Sequence, residues 1–236
     1  MALRGSNTSD YRLHYAFDLF EYRCAQTELT EIREGERLSR YELRPGDIAV
    51  GDRIYGTVSG MEHARRAGAD YVLRLRTEAF VLYDEAGKRM DLMPYLRAMR
   101  PWEEFSLDCF YKDGKGALHR VRIVATRKDE SETQKANRKL ARKVSRKQWN
   151  TPKRQTQEMA GYIVLATSLS DTTAQVLELY RARWQIEQVF RRLKGLFSFG
   201  EPPGENAASV KAWFYGKLLV AILCEAMAKD QSFSPN

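Results

Sequence analysis

Tyr180-Arg181-Ala182-Arg183-Trp184-Gln185-Ile186-Glu187-Gln188-Val189-Phe190-Arg191-Arg192-Leu193-Lys194 is the stretch on which the fold turns. It holds no Gly or Pro and is rich in strong helix formers. Ile186, Val189, Phe190, Leu193 and Phe197 recur at helical spacing and make one apolar stripe. At about 100° per residue, Tyr180, Arg183, Glu187, Arg191 and Lys194 share a sector of roughly 80° that borders this stripe. The spacing therefore predicts one amphipathic helix carrying a lone carboxylate among cations and a phenol. A carboxylate is a hard oxygen ligand for Mg²⁺, and Arg and Lys neutralise phosphate. The same pattern also describes a solvated face with i,i+4 pairs such as Glu187–Arg191. Spacing alone leaves both readings open.

The bulk composition is compatible with a polyanionic partner. The chain has 236 residues and a net charge of +8, with a pI near 9.4. That length can bury a real core. Cys24, Cys109 and Cys224 are widely spaced and form no C-x-x-C. They read as buried thiols, not as a disulfide or zinc framework. His14, His63 and His119 are isolated. Met1–Asp10 is a short polar leader with no signal-peptide character. Ala212–Ala228 is the most apolar run, but it contains Lys217 and Glu225. We read it as a buried helix short of a bilayer span, with Trp213-Phe214-Tyr215 as core packing.

Upstream of the opening stretch, alternation predicts strands at Arg12–Phe20 and Tyr22–Ile32. A short helix is expected at Gly35–Leu43, ended by Pro45-Gly46. Asp47–Asp52 reads as a short buried strand ending in a carboxylate, followed by a helix over Gly56–Gly68 and a strand at Tyr71–Arg76. Carboxyl ends of strands are where α/β sheets place functional groups. Asp52 could equally be a turn or cap residue. Phe80–Lys128 reads as short β segments with a helical turn or two at Pro94–Arg100. Asp113-Gly114 is its hairpin signal. Lys135–Arg154 holds nine Lys or Arg and no acid. Lys139, Arg142, Lys143 and Arg146 lie on a helix that is either a DNA-backbone surface or a solvated linker ended by Pro152; Trp149 gives it some apolar contact. Gly161–Leu169 is a buried strand, Ser170–Thr173 caps the signature helix, Gly200–Gly204 is a Pro/Gly turn, and Ser209–Lys229 is the final helix.

Tyr180, Arg183, Glu187 and Lys194 stand as Y-x2-R-x3-E-x6-K. This resembles the signature of the insertion-sequence-four family of bacterial DDE transposases, the family of the transposon-five transposase. Arg-Leu-His-Tyr-Ala-Phe-Asp-Leu, starting at Arg12, resembles its second core strand. Asp52-Arg53-Ile54-Tyr55-Gly56 resembles the segment around its second catalytic Asp, with Ile54 where the family often has Gly. The resemblance implies a ribonuclease-H-like α/β core with a β-rich insertion before the helix carrying the last catalytic carboxylate. It divides the chain into 11–76 (first part of the core), 77–130 (insertion), 131–160 (basic helix and linker) and 161–231 (second part of the core).

By the same resemblance, Asp52 and Glu187 are catalytic carboxylates that bind Mg²⁺ or Mn²⁺ and converge on one ion. Tyr180, Arg183 and Lys194 contact DNA phosphates near the cut end; Arg191 is expected to join them because it shares their charged helix face. The implied partner is double-stranded DNA at element ends and target. A homodimer in a synaptic complex is among the arrangements allowed, and no membrane is implied. The implied location is the bacterial cytoplasm, at the nucleoid. The family's first Asp lies on a strand upstream of Leu13–Leu19. We expect this chain to lack it, to be an incomplete copy, to bind metal weakly and to cut DNA poorly. The alternative is a non-catalytic DNA-binding remnant.

Overall fold

The computed structural model describes residues 11–76, 80–148, 154–196 and 206–231. The expectations for Met1–Asp10, Trp149, Pro152, Phe197 and Gly200–Gly204 fall outside the described residues. The chain forms two compact units, Arg37–Arg181 and a second made of Met1–Glu36 with Ala182–Asn236. Its class is α/β, as expected for a ribonuclease-H-like core.

The larger unit is built on a seven-stranded sheet. Its strands are β3 (Ile48–Gly56), β4 (Asp70–Leu75), β5 (Leu82–Tyr83), β6 (Arg89–Met90), β7 (Glu104–Lys112), β8 (Leu118–Arg127) and β9 (Tyr162–Thr167). The order is β3-β4-β9-β8-β7-β5-β6. β3 and β4 are parallel and joined through helix α1 (Val58–Arg66), while the other pairs are antiparallel. The β-rich block thus adds its strands to the sheet that carries β3. The Asp113-Gly114 turn joins β7 to β8, and Asp113 Oδ1 accepts from the amides of Lys115 and Ala117. Pro94 starts helix α2 (Met93–Ala98) at a position where its missing N–H costs nothing. Helix α3 (Glu130–Gln148) carries the basic stretch, and α4 (Arg154–Met159) leads into β9.

Helix α5 (Thr173–Ala182) begins with a reciprocal cap. Thr172 N donates to Gln175 Oε1 at 3.0 Å and Gln175 N donates to Thr172 Oγ1 at 3.3 Å. Arg122 of β8 fixes the preceding loop, donating to the carbonyls of Leu169 and Asp171 and to Thr173 Oγ1. α5 then lays Val176, Leu177 and Tyr180 over Val72, Val124 and Leu165 of the sheet.

The second unit holds a separate two-stranded antiparallel sheet, β1 (Tyr11–Asp18) and β2 (Arg23–Glu31), with α6 (Trp184–Gly195) and α7 (Ala207–Gln231). Alternation places Tyr11, Leu13 and Tyr15 on one face, where they meet Val189 and Leu193 of α6 and Val210, Phe214 and Leu218 of α7. Asp18 turns the hairpin, its Oδ1 accepting from the amides of Phe20 and Glu21.

Four expectations change. Gly35–Leu43 supplies only one 3₁₀ turn, Leu38–Arg40, which starts without a side-chain cap. Burial of Leu38 and Tyr41, and the His63 Nε2···Tyr41 O contact at 2.8 Å, hold that segment open. The strand with Asp52 does not end there but runs to Gly56, losing regular pairing between Gly51 and Gly56. The final helix is buried on one side only: Tyr215, Leu219, Val220, Leu223 and Met227 are exposed. Of the three thiols expected to be buried, only Cys109 is; Cys24 is half-buried and Cys224 exposed, and all three are free. Ala207–Met227, with a mean hydropathy of 1.4, is long and apolar enough on composition to cross a membrane. Val210, Phe214, Leu218 and Ala221 of its inner face pack in the core with β1 and α6.

The fourth change touches the signature. The expected single helix is two, α5 and α6, meeting at Arg183. Arg183 keeps helical angles, but Ile186 N bonds back to Arg183 O, an i→i+3 turn. The two halves serve different cores, Tyr180 that of the large sheet and Val189 that of β1.

Candidate functional site

Asp52 sits where β3 leaves its partner. Val50 pairs with Val72, so alternation turns Asp52 toward the face that carries Val72, Arg74 and helix α5. Asp52 is half-buried, and its Oδ1 accepts from Ile54 N at 2.9 Å. That bond is the turn role the sequence allows. It uses one oxygen and leaves Oδ2 without a hydrogen bond among the described residues. A hard oxygen at the carboxyl end of a parallel strand, beside a break in pairing, is suitable for a divalent cation.

Glu187 lies on the exposed side of α6, opposite the buried Val189 and Leu193. Arg183 Nη2 donates to its Oε1 at 3.0 Å, and the Glu187 side chain is 54 % exposed. An exposed i,i+4 pair adds little stability. It does keep the guanidinium beside the carboxylate. Arg191 and Lys194 are exposed on the same helix. Tyr180 belongs to the core, at 6 % exposure. Asp52 and Tyr180 lie in the unit Arg37–Arg181; Arg183, Glu187, Arg191 and Lys194 lie in the other. Lys139 and Arg142 are exposed on α3, and Lys143 and Arg146 belong to the same helix.

The chain matches the model for the transposase DDE domain over residues 27–223. It belongs to that family of transposases. The match takes in Asp52, the basic helix and the whole Y-x2-R-x3-E-x6-K signature, and it bears out the resemblance those residues carry. The transposase of insertion sequence element IS421 from Escherichia coli is 29 % identical over 238 residues, 94 % of this chain and 62 % of that protein. The IS231F transposase of Bacillus thuringiensis subsp. israelensis is 28 % identical over 202 residues, covering 78 % of this chain and 42 % of the relative. The chain thus spans less than two thirds of the length of these transposases.

A second cluster escaped the sequence reading. Ligand atoms of Glu62, Asp113 and His119 lie within 4.8 Å of one another. His119 Nε2 is 3.1 Å from Asp113 Oδ2 and 3.9 Å from Glu62 Oε1. Divalent metals are the family's cofactors, but Glu62 already has its charge met. Arg65 grips it at 3.0 and 2.7 Å, and Tyr111 OH donates to it at 2.6 Å. A cation would first have to displace a guanidinium. The cluster reads instead as a tether from α1 to the β7–β8 hairpin. His119, which the sequence reading took as isolated, faces Asp113 across the β7–β8 turn. Glu62 is buried at the point where Tyr111 of the hairpin covers it.

The tether predicts a pH dependence. The Arg65 hydrogen bonds hold the Glu62 carboxyl down to about 2, against an ordinary 4.5. A depressed folded pKa gives stability that is full above the unfolded value and lost as pH falls through the folded one. Unfolding free energy should fall by about 2–3 kcal/mol from this group as pH drops from 4.5 toward 2. Urea melts at a series of pH values should show that slope, and Glu62→Gln should flatten it. An unchanged slope in the variant would place the acid sensitivity elsewhere.

Proposed function

We propose that the chain is the core of a DDE-type insertion-sequence transposase. It acts in metal-dependent strand cleavage and transfer on double-stranded DNA at the element's ends. The family match across the spaced signature carries this reading. Asp52 and Glu187 are the carboxylates that would hold Mg²⁺ or Mn²⁺: both offer hard oxygens, and Asp52 Oδ2 has no hydrogen bond among the described residues. When bound, such an ion activates water and neutralises the departing oxygen. Arg183 and Lys194 take phosphates at the cut end, and Arg183 can exchange the Glu187 carboxylate for one. Tyr180, with its ring in the core, would reach a phosphate through its hydroxyl alone. Arg191 and the basic helix hold the backbone of the duplex. The working location is the bacterial cytoplasm, at the nucleoid, with a homodimer in the synaptic complex.

A DNA-binding remnant that does not cut is the second reading. The contacts of Glu187 with Arg183 and of Asp52 with Ile54 N favour it, because both carboxylates have partners without an ion. Incubation with Mn²⁺ and DNA bearing the element's own ends separates the two: nicks at the ends support the enzyme, and end-specific binding without nicks supports the remnant. Binding that ignores the ends would remove both.

Either reading requires duplex binding that releases counterions. Changing Lys139, Arg142, Lys143 and Arg146 to Gln should flatten the slope of log affinity against log salt by roughly three to four units, at about 0.9 per lost phosphate contact. Fluorescence anisotropy over a salt series measures it. An unchanged slope would make this helix a linker.

A further inference from the structure

Helix α7 carries two apolar faces and turns its charges toward one of them. Val210, Phe214, Leu218 and Ala221 are buried with β1 and α6. At about 100° per residue, Lys211, Lys217 and Glu225 all lie within about 65° of the centre of that buried face. Their heads follow. Lys211 Nζ is 5.6 Å from the centroid of the Tyr11 ring, Lys217 Nζ is 5.5 Å from that of Trp213, and Glu225 Oε2 accepts from Tyr15 OH at 3.3 Å. Ala212, Gly216, Leu219, Leu223 and Met227 lie within about 45° of the opposite centre, and all five are exposed. An amphipathic helix at a protein surface has the reverse order, with its charges outward. Gly216 adds a second observation. A Cβ there would meet nothing within 4 Å, so nothing inside this chain asks for glycine. Glycine in the middle of a helix weakens it, and what it offers in return is close approach of another backbone.

We propose that a second copy of this chain packs its own α7 antiparallel on this outer face. The order of large and small residues along the face is its own complement in reverse. With a two-fold axis between Leu219 and Val220, Leu223 of each copy stands opposite Gly216 of the other, Met227 opposite Ala212, and Leu219 beside Val220. Each large side chain then has a small residue to fill, so the two helices can approach to the short end of the usual range of roughly 8–10 Å. The chain has a net charge of +8, yet Lys211 and Lys217 both stand toward the buried face, and no cation between them and Met227 meets its copy across this contact. Removing Leu219, Val220, Leu223 and Met227 of both copies from water drives the association. The contact gives the homodimer of the transposase reading its surface, and in that it rests on that reading; the packing itself rests on α7.

Sedimentation velocity over a concentration series should show a monomer–dimer equilibrium. Gly216→Leu starts from a Cβ that meets no atom of its own chain, so it should melt no lower. It should still weaken self-association by about tenfold or more, because it fills the place that Leu223 of the other copy takes. Leu223→Glu should do the same. The double variant Gly216→Lys/Leu223→Glu sets opposite charges face to face twice in the antiparallel register. It should recover a dimer, and one that high salt dissolves. A double variant no better than Leu223→Glu would overturn the antiparallel register. A dimer indifferent to Gly216→Leu would overturn the surface, and so would a monomer at every concentration that floats with phosphatidylcholine vesicles, which would make the face a lipid contact. Binding of element-end DNA by a chain that stays monomeric would overturn the surface and leave the transposase reading intact. A dimer that Gly216→Leu breaks, in a chain that does not bind element ends, would keep the surface and overturn that reading.

Discussion

Asp52→Asn and Glu187→Gln should each remove a thousandfold or more of the strand cutting that the unsubstituted chain shows on element-end DNA with Mn²⁺. In the role proposed for them, losing one ligand of the ion would take away both activation of the attacking water and charge neutralisation at the leaving oxygen. Each factor of ten is about 1.4 kcal/mol, so a thousandfold is about 4 kcal/mol, a reasonable share for one carboxylate at such a centre. Both substitutions keep shape and remove charge. Asp52→Asn retains an oxygen for the Ile54 amide, so the turn in β3 survives. Glu187→Gln sits on an exposed helix face, so α6 survives. Folding therefore does not confound the result. Mn²⁺ binding, followed by the ion's paramagnetic signal, should weaken in both variants even if basal cutting is slow. Equal cutting and equal Mn²⁺ affinity in either variant would remove that residue from the catalytic set. If only Glu187→Gln affects Mn²⁺ affinity, the two carboxylates do not share an ion.

Much of the fold was legible because its signals are local. The Asp113-Gly114 turn, the Thr172/Gln175 cap and the alternation of Tyr11, Leu13 and Tyr15 each depend on residues close in sequence. What escaped is decided by contacts far along the chain. Nothing near Arg183 breaks a helix; the helix divides because Tyr180 and Val189 are claimed by different cores. Nothing near Glu62 marks it as buried, since Tyr111, the phenol that covers it, lies 49 residues away. The outer face of α7 is the converse case: its apolar residues look like core, yet Leu219, Leu223 and Met227 face outward. Of the site, Glu187 and its cations were readable as a pattern with two meanings, and only the family resemblance chose between them. Asp52 was readable as a strand-end carboxylate.

Gly56→Ala should cost the larger unit at least about 3 kcal/mol, beyond the usual range for a single added methyl group. After its unpaired stretch, β3 rejoins β4 at Gly56, opposite Leu75. The strand comes in so close that a Cβ would overlap the Arg74 carbonyl oxygen. The obstacle is backbone within a sheet, so no side chain can rotate to make room. Relief requires β3 and β4 to part at the point that sets the Asp52 turn and the start of α1. Thr57 caps α1 immediately afterwards, accepting from Gly60 N, so the disturbance would reach the helix. Gly114→Ala is the matched control, because a Cβ there meets nothing within 4 Å. Urea unfolding of both variants measures the difference. A Gly56→Ala chain as stable as the Gly114→Ala chain would mean that the two strands do not meet at this point. The Asp52 carboxylate would then lack the rigid frame that its proposed role as a metal ligand requires.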